Sequence, residues 1–148
     1  MTERSPEFTP VKYKKNEKKD APFYATPGSV GFDLATDEGA FFNYRNEIKR
    51  ISTGLVIATP ADHMLYITFR SSTPLRYGVI VLEGIIDEDY RGDDDILSLQ
   101  VMSLYNSPTI IPAGTRLAQG IFIPIKRAEF VEVEKMGESR GGFGSTGI

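Results

Sequence analysis

The sequence contains no cysteine, which removes disulfides, thiolate zinc sites and thiol nucleophiles together. Histidine is almost as scarce, His63 being the only one in 148 residues. A two-histidine metal site is therefore excluded, and a Ser-His-Asp triad would depend on this one ring. His63 ends the turn-like stretch Thr59-Pro60-Ala61-Asp62-His63 and reads as an exposed loop residue. No apolar run approaches the ~20 residues of a membrane span, so no membrane partner is expected. No secretory apolar stretch follows Met1-Thr2-Glu3-Arg4-Ser5-Pro6, and the expected compartment is the cytosol rather than the exterior. A formal charge of −3 gives no electrostatic case for stable nucleic-acid binding. The chemistry is left to carboxylates, arginines, hydroxyls and a borrowed metal.

What is present fits one globular domain, with 41% apolar and 11% aromatic residues. The periodicity is mostly that of strands. Met64 to Phe69 and Gly78 to Leu82 are short β-branched or aromatic runs, while Leu97, Leu99 and Val101 alternate with Ser98 and Gln100. Val131 and Val133 alternate with Glu132 and Glu134 in the same way, predicting another half-buried strand. Pro27-Gly28, Thr53-Gly54, Thr59-Pro60, Pro108 and Pro112-Ala113-Gly114 punctuate the runs. Few windows sustain a helical period, and Pro74 limits the best short candidate, around residues 71–77. Many short strands predict an all-β sandwich or barrel. Residues 1–136 form the expected domain. Residues 137–148, with glycines at 137, 141, 142, 144 and 147, cannot build a core and belong to it as a flexible tail. Such a tail either frays or serves as a lid that orders on a ligand.

Three internal segments carry candidate chemistry. Residues 83–95 hold seven carboxylates against one base, Arg91. Such a run is ordinarily a solvated turn. Here it follows the hairpin-like stretch 78–86, with Gly84 at a tight reversal, so Asp87 would end a buried strand where Ile85 and Ile86 exclude water. A carboxylate there can polarise a water as general base. Arg70-Ser71-Ser72-Thr73 joins a strand to the short helix and reads equally as a phosphate cradle or as a serine N-cap beside a surface arginine. Arg116-Leu117-Ala118-Gln119-Gly120 presents one side-chain amide, Gln119, and is uninformative alone.

Five segments together resemble the ordered motifs of the trimeric dUTPases: Gly28-Ser29-Val30-Gly31-Phe32-Asp33-Leu34, Arg70-Ser71-Ser72, Gly84 to Gly92, Arg116-Leu117-Ala118-Gln119, and Gly141-Gly142-Phe143-Gly144-Ser145-Thr146-Gly147. The resemblance implies a distorted jelly roll and hydrolysis of dUTP to dUMP and pyrophosphate. That activity limits uracil incorporation into DNA and supplies dUMP for dTMP synthesis. It further implies a homotrimer whose shared sites take the hairpin from one subunit, the cradle from a second and the glycine tail from a third. By the same resemblance Asp87 activates the attacking water, and Tyr90 packs against the deoxyribose. Main-chain groups of Gly84, Ile85 and Ile86 pair with uracil. Arg70, Ser71, Ser72 and Gln119 hold the phosphates. Phe143 stacks on the base, while Arg140, Gly144, Ser145 and Thr146 close over the γ-phosphate. Mg²⁺ is the implied cofactor, held mainly by the triphosphate, with Asp33 supporting its water shell.

Two positions depart from the family pattern. Ser72 stands where a glycine is usual, and the tail arginine is displaced: Arg140 directly precedes the double glycine, while Glu138 occupies the customary arginine position. Two rival functions use similar residues. A dCTP deaminase shares the fold and an Arg-Ser-Ser segment, but it needs a glutamate on the strand after the third motif, and Ile96 to Asn106 contains none. A non-catalytic β-sandwich module would have no reason to keep both Asp87 and the glycine tail.

Overall fold

The computed structural model describes residues 8–144. Its strands are β1 (Tyr13–Lys15), β2 (Phe32–Ala35), β3 (Ala40–Phe42), β4 (Ile48–Ser52), β5 (Leu55–Ile57), β6 (His63–Phe69), β7 (Val79–Val81), β8 (Gly84–Ile86), β9 (Ser98–Ser103), β10 (Thr109–Ile111) and β11 (Arg116–Pro124). One helix, α1 (Thr73–Tyr77), interrupts them. The all-β expectation therefore holds. No helix among the described residues is long and apolar enough to cross a membrane.

Four antiparallel sheets form: β2-β11-β6-β8, β4-β9-β7, β1-β5 and β3-β10. Alternation along the strands explains the core. Leu65 and Ile67 of β6 are buried, while Met64, Tyr66 and Thr68 between them are half-exposed. Their buried face meets Leu34, Leu117 and Ala118 from the neighbouring strands and Leu99 and Val101 from β9, all within one apolar cluster. Each fully buried aliphatic side chain contributes ~1.5–3 kcal/mol by leaving water, and this cluster supplies the rigidity on which the polar face depends.

That polar face is the outer side of the four-stranded sheet. Asp33 of β2 pairs with Gln119 of β11, and Gln119 pairs with Thr68 of β6. Tyr66, two residues before Thr68, pairs with Ile85 of β8. Register thus puts all five side chains on one side, with Asp33 and Ile85 on opposite edge strands. Three interstrand steps separate those edges, on the order of 14 Å.

Several local expectations are corrected. Residues 78–86 are no hairpin, because β7 pairs with β9 while β8 pairs with β6. The chain changes sheet at Leu82 and Glu83 instead. Val131 and Val133 lie in no strand, pair with no strand among the described residues, and are 76% and 53% exposed. His63 is the half-buried first residue of β6, not a loop residue. Pro74 sits in the first turn of α1, where its missing N–H costs nothing, so it starts the helix rather than limiting it. Gly78 closes α1 at φ 68°, donating to Pro74. A side chain there would also strike the Tyr105 ring.

Candidate active site

The first group of expected site residues converges at the β2-β11 edge. Arg70, just beyond β6, places Nε 3.1 Å from Asp33 Oδ1, and Arg116 Nη1 lies 3.7 Å from Oδ2. Arg70 Nη1 also donates to the Arg116 carbonyl at 3.1 Å. Gln119 Nε2 donates to the Phe69 carbonyl at 3.1 Å, which pins the amide across the β11-β6 rung. Two guanidiniums facing one carboxylate leave an excess positive charge, the electrostatic requirement for binding a polyanion.

The serines beside Arg70 are not helix caps. Ser72 occupies the N-cap position without a side-chain capping bond. Thr73 does the structural work: its buried hydroxyl accepts from the Arg70 amide at 3.3 Å and donates to the Leu117 carbonyl at 2.6 Å. Among the described residues the Ser71 and Ser72 hydroxyls have no partner, and Ser71 is exposed. Both remain available to a ligand, which favours the cradle reading of this segment over the capping one.

Gly31 makes this close packing possible. A side chain there would begin 2.6 Å from Gln119 Oε1 and 3.0 Å from the Gly120 carbonyl. Arg116 is further oriented by the Phe23 ring, 4.9 Å from its guanidinium carbon. Arg116 lies within the fourth motif, yet its role was not read from sequence, because only the fold brings it to Asp33, which lies on another strand.

The second group lies at the β8 edge. Asp87 follows the last β8 rung, Ile86 opposite Leu65. The Tyr90 amide donates to the Asp87 carbonyl at 3.1 Å, its hydroxyl reaches the Ile96 carbonyl at 3.1 Å, and the Gly92 amide bonds Asp95 at 2.7 Å. These bonds shape the acidic run into an ordered turn. Its apolar shielding is absent within the chain: Ile85 is 62% exposed and Asp87 is exposed. The expected exclusion of water by Ile85 and Ile86 is therefore not made by this chain's own contacts. Tyr66, opposite Ile85 in the ladder, has its phenol pKa pushed above the usual value, first by the neighbouring Glu83 carboxylate.

An open cavity of about 540 Å³ is lined by Asp87, Glu88, Asp89, Arg91 and Arg127. The Arg127 guanidinium bonds Glu88 and holds its carboxyl below the usual range, helped by the Asp62 amide. Sequence reasoning missed Arg127, which lies in no motif and shows no period. A larger concavity of about 940 Å³, walled by Phe8, Tyr13, Phe23, Tyr24, Phe32 and Phe122, has no Lys, Arg, Asp or Glu in its lining. It contains none of the expected site residues and offers a triphosphate no countercharge.

Two described tail residues, Arg140 and Phe143, join neither group. Arg140 is exposed, and Phe143 projects fully into solvent with φ 48°. Gly144 has φ 84°, a conformation glycine adopts freely. Ser145 and Thr146 lie outside the described residues.

Comparison with known proteins agrees with this geometry. The family model for dUTPase matches residues 17–147. The deoxyuridine 5'-triphosphate nucleotidohydrolase of Hydrogenobaculum sp. is 36% identical over 140 residues, covering 91% of this chain and 95% of that protein. Among solved structures, the Staphylococcus bacteriophage 80alpha dUTPase with dUPNHPP superposes with a TM-score of 0.79 at 20% identity, over 94% of this chain and 99% of the other. A variant dUTPase from phage phi11 of S. aureus, described for its coordination of a structural Mg(II) ion, gives 0.77 at 18% identity over 86% and 98%. With five motifs in order, a matching fold and relatives of the same length, the chain belongs to the dUTPase family.

Proposed function

We propose that this dUTPase-family enzyme converts dUTP to dUMP and pyrophosphate by attack of an Asp87-activated water on the α-phosphorus. The observation that carries the proposal is the division of the site. Arg70 and Arg116 gather on Asp33 of the edge strand β2, with Gln119 beside them on β11 and Ser71 and Ser72 following Arg70, whereas Asp87 follows the opposite edge strand β8. Attack on phosphorus needs an oriented nucleophile, neutralised phosphate oxygens and exclusion of bulk water. One chain supplies these groups on separated edges. In a homotrimer each site would take the Gly84–Gly92 loop from one copy, the cradle from a second and the tail from a third. The residual exposure of Ile85, Asp87 and Phe143 fits surfaces that meet only on assembly and substrate binding.

In the reaction, Asp87 accepts a proton from water as the water oxygen bonds to the α-phosphorus. The bond to the bridging oxygen breaks, and pyrophosphate leaves. Ser71, Ser72, Arg70 and Gln119 hold the α- and β-phosphate oxygens. Backbone groups of Gly84, Ile85 and Ile86 bind the uracil edge, and a site committed to that pattern rejects cytosine by leaving buried groups unpaired. The Tyr90 ring faces the sugar, where it leaves no room for a 2′-hydroxyl. Phe143 covers the base, while Arg140, Gly144, Ser145 and Thr146 close on the γ-phosphate.

Mg²⁺ keeps several of its own waters and binds mainly through substrate phosphate oxygens. Asp33 fits a supporting role: its Oδ2 is buried without a hydrogen-bond partner, open to a donor such as a metal-bound water. Mg²⁺, when bound with the triphosphate, neutralises phosphate charge.

Incubation with each dNTP tests the assignment. Pyrophosphate released from dUTP alone is expected. Ammonia from dCTP would make the protein a deaminase, and no product from any dNTP would make it a binding module.

A further inference from the structure

Asp87 has no hydrogen-bond or ionic partner for its carboxylate among the described residues, whereas the residue after it is held from two directions. Glu88 accepts from the Asp62 amide at 3.3 Å and forms a close ion pair with Arg127. Arg127 directs its other terminal nitrogen to Asp62 Oδ1 at 3.2 Å. Asp62 is itself fixed, in left-handed backbone with φ 59°, and its carbonyl accepts the Ile125 amide at 2.9 Å. Three segments remote in sequence thus close one ring at the end of the four-stranded sheet. The ring lies two residues beyond the last β8 rung, Ile86 opposite Leu65, and Asp87 sits between them.

We propose that Arg127, together with Asp62, is a positioning residue for Asp87: by clasping Glu88 it sets the direction in which the adjacent base leaves the strand. The inference rests on the dUTP-hydrolysis reading above. A ladder rung fixes Asp87 on its N-terminal side, and the clasp fixes the peptide on its C-terminal side. Exposed ion pairs add little to folding stability, but a guanidinium fork spanning two carboxylates restricts direction well. A general base works only within hydrogen-bond reach of its water, so a small angular error falls on the chemical step.

The test is a double-mutant cycle on the full-length protein, using Arg127→Ala, Glu88→Ala and both together, with Arg127→Lys as the conservative control. Turnover of dUTP, KM and the thermal midpoint are measured for each. Arg127→Ala is expected to lower kcat by about tenfold to a hundredfold, as misplacement of a catalytic group does, with KM and the midpoint near wild type. Lysine keeps the charge but not the fork, so it should recover only a small part of the loss, and the double variant should lose no more than the worse single one. Additive losses, a KM increase that accounts for the effect, or near-normal kcat in Arg127→Ala would each overturn the clasp. A wild-type protein releasing no pyrophosphate from dUTP would instead remove the reading on which it rests.

Discussion

The two edges of the four-stranded sheet solve different problems. At the β2 edge, Asp33, Arg70, Arg116 and Gln119 are bound to one another or to main chain, and Gly31 and Thr73 hold the supporting backbone in place. Those groups are organised before any ligand arrives. At the β8 edge, Asp87 and Ile85 are exposed, and order reaches Asp87 through its neighbours. The contrast follows from the tasks. Phosphate binding gains from pre-set cations in a half-buried network, since their cost of ordering is met during folding. A base must keep free lone pairs for its water, so its orientation has to come from adjacent residues and its desolvation from another surface.

Perturbing each edge in turn separates these roles. Asp87→Asn should lower dUTP turnover by about 10²–10⁴-fold, the usual worth of a general base, while analogue binding by calorimetry persists. Near-normal turnover would move the chemistry away from the β8 edge. Deletion of residues 137–148 should reduce turnover strongly but leave the thermal midpoint unchanged, because Arg140 and Phe143 pack on nothing in the core. A fully active truncation would show that no lid is needed.

Gly31→Ala tests the β2 edge. With a side chain 2.6 Å from Gln119 Oε1 and 3.0 Å from backbone oxygen, it should destabilise the fold by about 1–3 kcal/mol as overpacking does. It should also raise KM more than it lowers kcat. An unchanged midpoint and KM would mean that the cradle is looser than its hydrogen bonds indicate. The smallest effect concerns protons. Glu88 is held below its ordinary value of 4.5, first by the Arg127 hydrogen bond. A depressed carboxyl contributes stability above its unfolded pKa and loses it as pH falls through the folded value. The clasp should therefore survive throughout the neutral range and open only at acid pH below 4.5. A carboxyl-carbon NMR titration should place Glu88 below that value in the wild type and higher in Arg127→Ala.

Much of the β2 edge was legible in the residues themselves. Asp33, Arg70 and Gln119 lie in three separate motifs, and the fold sets Arg70 against Asp33 and pairs Asp33 with Gln119 in register. Less legible were the pairings that only the fold makes. Arg116 finds Asp33 through the β2-β11 register, and Arg127 finds Glu88, 39 positions earlier. The stretch 78–86 misled because a run of β-branched residues with a central glycine describes two strands equally well whether they pair together or with others. Val131 and Val133 misled for a related reason: alternation prepares a strand, but a strand needs a partner edge.

Sequence alone determined the all-β class, by the period of its apolar residues, and the chemical inventory, by excluding thiols and paired histidines. It also marked the residues of both edges, because spacing within a motif is local and survives without knowledge of the fold. Only the tertiary structure decided that Arg70 and Arg116 meet at Asp33 on one edge strand while Asp87 follows the opposite one, that Thr73 rather than a serine secures the helix start, and that Glu88 is clasped by Arg127. Strand register and charge pairing depend on which distant segments become neighbours, and chain closure decides that, not the identity of any one residue.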